Sequence, residues 1–493
     1  MPHKPRTEQD VQYEVGLVVK AKRYLLTIEG LPSARVNDIL HDDNGNRAIV
    51  RALSDEYVYA LALSQTAQPG DQFTYVTEEY MYSGGDHLFG RVIDTLGRPV
   101  DNQGSFPPPN IPFRLEVDAQ GIEVRRPIHE QLTTGITTVD TLVPIAKGQR
   151  QLVFGPMRSG KTTFLTETVQ AQAATGTVCI YAVIGKPING LRKITDTIID
   201  QAPEGAKTIV VAAVSDEPAS VIALTPSVAF LLAEYYQSLG EDVLVVLDDL
   251  DAHAKYLREI ALLEGRLPST ESYPGDIFYQ HAHLMERSGH FTSEVGGGSI
   301  TALPVIQTDL KNFSDLIPTN VMACTDGHLS FSPTLRAQGS YPSINIAESV
   351  TRVGRQAQQT LQKQVTRHTQ VLLGSYRTQQ EYAKFSTDLN EHTKEILRKG
   401  AIIETLLEQP PYTGVPRAVQ VLMLTLVFSN YFLPEETAIE VEDYKALLVT
   451  VLTEQDTLAD LREQALDDAV SWEEYLEAVQ ANHTIIRDHV SHS

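Results

Sequence analysis

Residues Gly155 to Thr162 read GPMRSGKT, and the pattern G-x-x-x-x-G-K-[ST] has meaning only where a strand hands the chain directly to a helix. That context is met: the apolar run QRQLVFG precedes the loop and KTTFLTETVQAQAAT follows it. Glycines let such a loop curl until successive backbone N–H groups face phosphate oxygens at the helix start. Lys161 then reaches the outer phosphates, and the Thr162 hydroxyl is placed to ligate Mg²⁺. The expected nucleotide-binding set is Gly155, Pro156, Met157, Arg158, Ser159, Gly160, Lys161, Thr162 and Thr163.

A strand–loop–helix unit needs a sheet around it. From about Pro127 to Gln338, the strand-like runs TVCIYAVIG, KTIVVAAV, DVLVVLDDL and GSITALPVIQT alternate with helical ones such as SVAFLLAEYYQSLG. This alternation predicts a mostly parallel sheet with helices on both faces. DVLVVLDDL ends in two acids at a strand's carboxyl end, where P-loop proteins place a ligand of the Mg²⁺ shell. Asp248, directly after the strand, is the candidate; the alternative is that the paired acids merely cap the next helix, which applies chiefly to Asp249. Hydrolysis also needs a group that orients and polarises water, usually a carboxylate. After YAVIG the chain offers Lys186, Pro187, Ile188 and Asn189, none of which accepts a proton at neutral pH. Lys186, a mobile point charge, suits holding a γ-phosphate instead. The pattern is one of binding without chemistry.

On either side the character of the chain changes. From Val11 to about Tyr80, short alternating segments broken by Gly and Asp-Asn turns suggest a small antiparallel barrel. After Ser349 the sequence becomes Gln-, Leu- and Glu-rich and helical. The expected domains are therefore an N-terminal β-barrel over 1–80, an α/β nucleotide-binding domain over 81–355 and an α-helical bundle over 356–493. With 40 basic and 63 acidic residues the net charge is −23, which repels phosphate backbones and argues against nucleic acid as a partner. Cys179 and Cys324 lie in apolar runs and read as reduced core residues. The opening MPHKPRTEQDVQYEV has neither the apolar core of a signal peptide nor the character of a transit peptide. The runs TIVVAAV and VLMLTLVF fall short of the ~20 residues that cross a bilayer, so membrane contact is expected only through partners.

The segments RRPIHEQLTTGITTVDTLVPIAKGQRQLVFG, SYPGDIFYQHAHLMERS, GGGSITALPVIQT, LIPTNVMACTDGHL and SINIAESVTRVG resemble, in order and spacing, the alpha subunit of F-type ATP synthases. The upstream LFGRVIDTLGRPVD is similar too, so the resemblance covers nearly the whole chain. It implies a barrel, a RecA-like P-loop domain and a helical bundle, in a ring of three alpha and three beta subunits around a gamma shaft. Such a ring sits on the cytoplasmic face of the membrane and couples ATP to ion transport through a membrane sector. The alpha subunit holds a non-exchanging Mg-nucleotide, ATP or ADP, while beta carries the catalytic carboxylate. Alpha usually has Gln where Lys186 stands. By the same resemblance Arg352 of ESVTRVG is an arginine finger acting on the neighbouring subunit's site. Gln409 of LLEQPPYTG falls on an adenine-pocket glutamine, and Pro342 of SYPSINI on the proline of an RPAIN element. Departures surround both: Tyr341 replaces that element's arginine, Pro411 a second glutamine, and Arg336 an aromatic beside the base. Family members also dock a stator delta subunit on a longer N-terminal segment than the one here.

Related architectures fit less well. A type III secretion or flagellar export ATPase is a homohexamer and needs its own catalytic Glu, against which Lys186 speaks. A Rho-like RNA translocase needs a basic path that a charge of −23 does not supply. A V-type B subunit is a non-catalytic ring partner too, but lacks an intact P-loop.

Overall fold

The computed structural model describes residues 13–63, 67–76, 80–112, 117–266, 273–308, 315–383 and 389–492. The first twelve residues, on which the expectations about a leader and stator docking chiefly rest, lie outside the described residues. Strands β1 (Tyr13–Lys22), β2 (Leu25–Glu29), β3 (Ile39–His41), β4 (Arg47–Leu53), β5 (Tyr57–Ala62) and β6 (Gln72–Val76) close into a barrel in the order β1-β2-β5-β4-β3-β6. Its interior follows from period-two alternation. Leu26 and Ile28, Val58 and Ala60, and Phe73 and Tyr75 are buried, while Val15, Leu17 and Val19 of β1 face out.

Further along come strands β7 (Arg91–Asp94), β8 (Gln151–Gly155), β9 (Val178–Lys186), β10 (Thr208–Val214), β11 (Asp242–Asp248), β12 (Ser299–Gln307), β13 (Gly327–Ser330) and β14 (Val350–Thr351). The principal helices are α1 (Lys161–Ala173), α2 (Ala219–Ser238), α3 (Leu250–Leu263), α4 (Ile277–Glu286), α5 (Thr360–Ala383), α6 (Glu391–Leu407), α7 (Arg417–Phe428), α8 (Ala438–Glu454) and α9 (Trp472–Ala481). By compactness the chain divides into two units, Met1–Arg126 with Ala173–Thr325, and Pro127–Gln172 with Asp326–Ser493.

The first unit joins the barrel to parallel strands in the order β12-β11-β9-β10-β7. Val178 to Ile184 and Val243 to Asp248 are buried without a break. Such continuous apolar runs are what a parallel sheet covered on both faces requires. Helix α2 packs on these strands and is longer than its sequence suggested, because it starts at Ala219 and continues through Pro226. By length and composition it could cross a membrane, a helix that the count of apolar runs missed. Since 78% of its apolar window is buried inside the protein, it serves as a core helix. Neither cysteine is in a disulfide, but only Cys179 is a core residue; Cys324 is half-buried.

Helices α3 and α4 are pinned by two buried histidines. His253 Nε2–H donates to the Ala223 carbonyl at 3.0 Å, which leaves Nδ1 to accept from His281 Nε2–H at 3.2 Å. His281 Nδ1 is buried with no hydrogen-bond partner. Burial pushes His253 down to about 4, and burial together with His253 pushes His281 down to about 3.

The second unit places β8 parallel to β13, with β14 antiparallel on the other side of β13. Its helical part is organised around α7, which is buried from Ala418 to Val427 and contacts α5, α6, α8 and α9. A helix apolar all round needs such a jacket. Gly400 of α6 lets that helix meet Tyr376 of α5: a Cβ there would lie 2.3 Å from the ring. Capping boxes at Thr437/Glu440 and Ser471/Glu474 start α8 and α9.

The histidine pair carries a pH signature. The fold holds both rings neutral while the unfolded chain binds protons near pH 6.5, so stability is full above that value and falls as pH drops toward the folded values. At pH 5 the loss is about 2 kcal/mol per histidine. Denaturant titrations at pH 7.5 and 5 will give a smaller drop for His281→Gln than for wild type; an equal drop would assign the acid sensitivity to other groups.

Candidate functional site

The phosphate loop belongs to the second unit and the strand-end acids to the first. β8 is buried throughout and delivers the chain to Gly155, whose φ is 151°; Gly160, before α1, has φ 100°. Side chains are excluded at both: a Cβ on Gly155 would lie 2.6 Å from the Phe331 carbonyl, and one on Gly160 2.8 Å from Ser343 Oγ. Arg158 holds a left-handed φ of 59° without that freedom. Ser159 Oγ donates to the Pro156 carbonyl at 2.8 Å, and Ser343 Oγ donates to the Ser159 carbonyl at 2.5 Å, so the curl is fastened from inside and outside. The Lys161 ammonium donates to the carbonyls of Gly155 and Pro156 at 2.6 and 2.7 Å. Pro156 and the exposed Met157 bring no polar side-chain group, leaving backbone as their contribution. Thr162 and Thr163 fall in the first turn of α1, where N–H groups lack intrahelical partners and the helix dipole favours an anion.

Behind the loop lies a network that the sequence reading did not anticipate. Glu167, the single acid in α1, is only 3% exposed, and its Oε2 accepts the Tyr341 hydroxyl at 2.5 Å. The neighbouring Thr166 hydroxyl is 2.9 Å from that of Tyr412. Burial raises the Glu167 carboxyl to about 7, against the lowering by Tyr341 and the Tyr412 backbone N–H. The one available signal was an acid in KTTFLTETVQAQA, a helix whose other charged residue is Lys161.

Gln409 is a clamp. Its Oε1 accepts from Thr137 N at 2.9 Å and Oγ1 at 3.0 Å, while Nε2 donates to Gly135 at 3.0 Å and Thr413 at 3.3 Å. Both lone-pair directions and both N–H groups are engaged, which fills the capacity of an amide. Its own backbone N–H donates to the Tyr341 carbonyl at 2.9 Å, next to Pro342. The Arg336 guanidinium lies 5.8 Å from the Tyr341 ring centroid.

In the first unit, Val183 of β9 is in register with Asp248 at the end of β11. Gly185, with φ 64°, has room for no Cβ, since one would meet Tyr256 at 2.5 Å. There the register of β9 against β10 slips, and such a bulge re-aims the following side chain. Lys186 Nζ donates to Asp248 Oδ1 at 2.9 Å and lies 3.8 Å from Asp249 Oδ2. Asp248 Oδ2 accepts the Tyr181 hydroxyl at 2.7 Å, and Asp249 Oδ1 caps α3 through Ala252 N–H at 2.7 Å. Burial works to lower the Lys186 pKa, but Asp248 and Asp249 outweigh it and hold the ammonium above the usual lysine range. Burial pushes Asp249 up to about 6, against the attraction of Lys186. Lys186 is thus an ion-pair partner and not a freely solvated surface lysine.

Arg352 follows β14 and is exposed; its backbone N–H donates to the Asp326 carbonyl at 3.0 Å. The nearby acids are engaged elsewhere: Asp326 is bidentate to Arg150, and Glu348 accepts from Ser330 Oγ at 2.9 Å. Among the described residues no carboxylate forms an ion pair with Arg352. Two residues on, Gly354 packs against Pro144, where a Cβ would lie 1.8 Å from the carbonyl oxygen, so the backbone under the arginine is fixed.

Comparison with known proteins places this geometry. The description "ATP synthase alpha/beta family, nucleotide-binding domain" matches residues 135–351, and "ATP synthase alpha/beta chain, C terminal domain" matches 358–481. A protein of Sulfurovum sp. (strain NBC37-1) named ATP synthase subunit alpha is 34% identical over 88% of this chain and 86% of its own length. One of the same name from Petrotoga mobilis is 33% identical over 91% of this chain and 90% of its own. A third, ATP synthase subunit alpha 1 of Marinomonas sp. (strain MWYL1), is 32% identical over 85% and 82%.

The buried carboxyl behind the loop supplies a second pH signature, opposite in sign to that of the histidines. With its folded pKa raised, Glu167 keeps its proton in the fold and loses it in the unfolded chain, so its contribution falls as pH rises from about 4.5 to 7. Glu167→Gln is expected to gain stability relative to wild type across that window, by on the order of 1–3 kcal/mol. Melting both proteins at pH 5 and pH 8 checks this; a pH-independent difference would mean that the carboxyl does not titrate there.

Proposed function

Since the chain belongs to the ATP synthase alpha/beta family, we propose that it is the non-catalytic, nucleotide-holding alpha subunit of an F-type rotary ATP synthase. Three such chains alternate with three beta subunits around a gamma shaft. Stator subunits and an ion-translocating membrane sector complete the assembly, with the ring on the cytoplasmic side. The observation that carries the reading is Lys186. Where a hydrolase places a carboxylate to take a proton from water, this chain has an ammonium bound to two aspartates. Nucleotide retention is supported by the fastened loop from Gly155 to Gly160, whose backbone, with Lys161, meets the phosphates of ATP or ADP. Mg²⁺ would be held by the Thr162 hydroxyl and would neutralise phosphate charge when bound. Gln409 acts on the nucleotide indirectly, by fixing the turn that carries Tyr412 beside α1.

The chain's catalytic contribution lies in its neighbour. An exposed guanidinium with no carboxylate partner among the described residues, on a backbone fixed by Gly354, is suited to meet the charge that develops on a γ-phosphoryl group in the beta subunit's site. Arg352→Ala is expected to leave ATP binding by this chain intact and to lower steady-state hydrolysis by the reconstituted complex by about 10³-fold or more. Arg352→Lys will recover little, because one ammonium does not reproduce the planar fork. Comparable rates for wild-type and Arg352→Ala complexes of equal assembly would place the finger elsewhere.

A further inference from the structure

The helix that opens at the phosphate loop carries a buried acid. Glu167 is the one carboxylate on α1, five residues beyond Thr162, which is roughly 8 Å along the helix axis. Its Oε2 accepts the Tyr341 hydroxyl at 2.5 Å, while Oε1 is buried with no hydrogen-bond partner. The titratable groups that act on it are Tyr341, Tyr412 through its backbone N–H, and Asp140 of the short helix Thr137–Leu142. The first two favour the ionised acid, Asp140 opposes it, and none of the three is a cation. Arg336, 5.8 Å from the centroid of the Tyr341 ring, is exposed, where water and salt screen its charge. Tyr341 also stands two residues from Ser343, whose hydroxyl fastens the phosphate loop at Ser159, so the acid and the loop share one support.

An ionised carboxylate in this place is a buried charge without a counter-cation. A second anion at the head of the same helix meets it through protein rather than through bulk water. At an effective dielectric of about 20, unit charges ~10 Å apart alter an equilibrium by about tenfold or more. We propose that Glu167 sets the affinity of this chain for ATP by its protonation state, so that ATP is bound together with one proton drawn from solvent onto the Glu167 carboxyl. The proposal rests on the nucleotide-holding reading above and deepens it, and every group it uses belongs to the second unit. Linkage fixes the sign: bound ATP makes the proton harder to lose, and the ionised acid weakens ATP by the same factor. Burial pushes the free carboxyl up to about 7, so affinity is full below that value and falls as pH rises through it. Tyr341 sets where the fall lies, because the hydroxyl it donates favours the ionised form.

The test is calorimetric titration of the purified full-length chain with ATP in excess Mg²⁺ at pH 6, 7.5 and 9. Two buffers of different ionisation enthalpy at each pH read the proton uptake directly. Wild type is expected to take up about 0.5 proton per ATP at pH 7.5 and to bind about tenfold more weakly at pH 9 than at pH 6. Glu167→Gln, which has no proton to exchange, is expected to show no such uptake and an affinity that stays within about twofold over the same range. Tyr341→Phe is expected to move the fall in affinity to higher pH, whereas a merely structural role would weaken binding equally at every pH. Uptake below about 0.1 proton by wild type at pH 7.5 overturns the proposal, as does equal uptake by folded Glu167→Gln. Should Glu167→Gln fail to fold, wild type and Tyr341→Phe still decide, since a fall that Tyr341→Phe leaves in place overturns it too. In each of these cases retained ATP binding leaves the nucleotide-holding reading standing, whereas absence of ATP binding at every pH overturns both.

Discussion

The ion pair between Lys186 and Asp248 joins the ends of two adjacent parallel strands, and the character of the chain follows from it. A buried carboxylate is stable only with a cation or a full set of donors, and Asp248 receives an ammonium and a phenol. Taking away one partner of such a pair typically costs ~3–5 kcal/mol, far more than the pair adds over an apolar replacement. The strand ends are therefore committed to this arrangement, and an ammonium held there is no base. The same pair separates the duties of the two acids: Asp248 anchors the lysine, and Asp249 starts α3 as its cap.

The second unit treats its P-loop as a rigid object. Gly155 and Gly160 admit the curl, Ser159 and Ser343 fasten it, and α1 is backed by Glu167 and Tyr341. Gln409 completes the support by tying the turn around Tyr412 to Gly135 and Thr137. These are hydrogen bonds among buried groups, where an unmade bond is costly and a made one fixes geometry. The loop backbone is thus held in shape by contacts within the protein itself.

Local patterns in the sequence were enough for the barrel, the alternating strands and helices, the helical C-terminal part, the P-loop and the cap at Asp249. Each of these is governed by neighbours in the chain: period-two alternation, turn residues, or a fixed motif spacing. Harder to read were properties set by partners distant in sequence. Lys186 finds Asp248 sixty-two positions away, and Tyr341 reaches Glu167 from 174 positions away. Neither polar group announces its partner. Gln409 stood out as a base contact, yet its amide is taken up by loops that no local rule brings near it. Helix α2 extends well before the run SVAFLLAEYYQSLG because tertiary packing carries it through Pro226, a residue that ordinarily breaks a helix.

The central claim is that this chain holds ATP and leaves its cleavage to a neighbour. The most direct measurement is single-chain: purified protein free of other subunits, given radiolabelled ATP, with bound nucleotide and released phosphate counted together. The account predicts one nucleotide retained per chain and phosphate release at the background rate over many hours. Sustained turnover by the isolated chain, abolished by Lys161→Ala in its own loop, would contradict it.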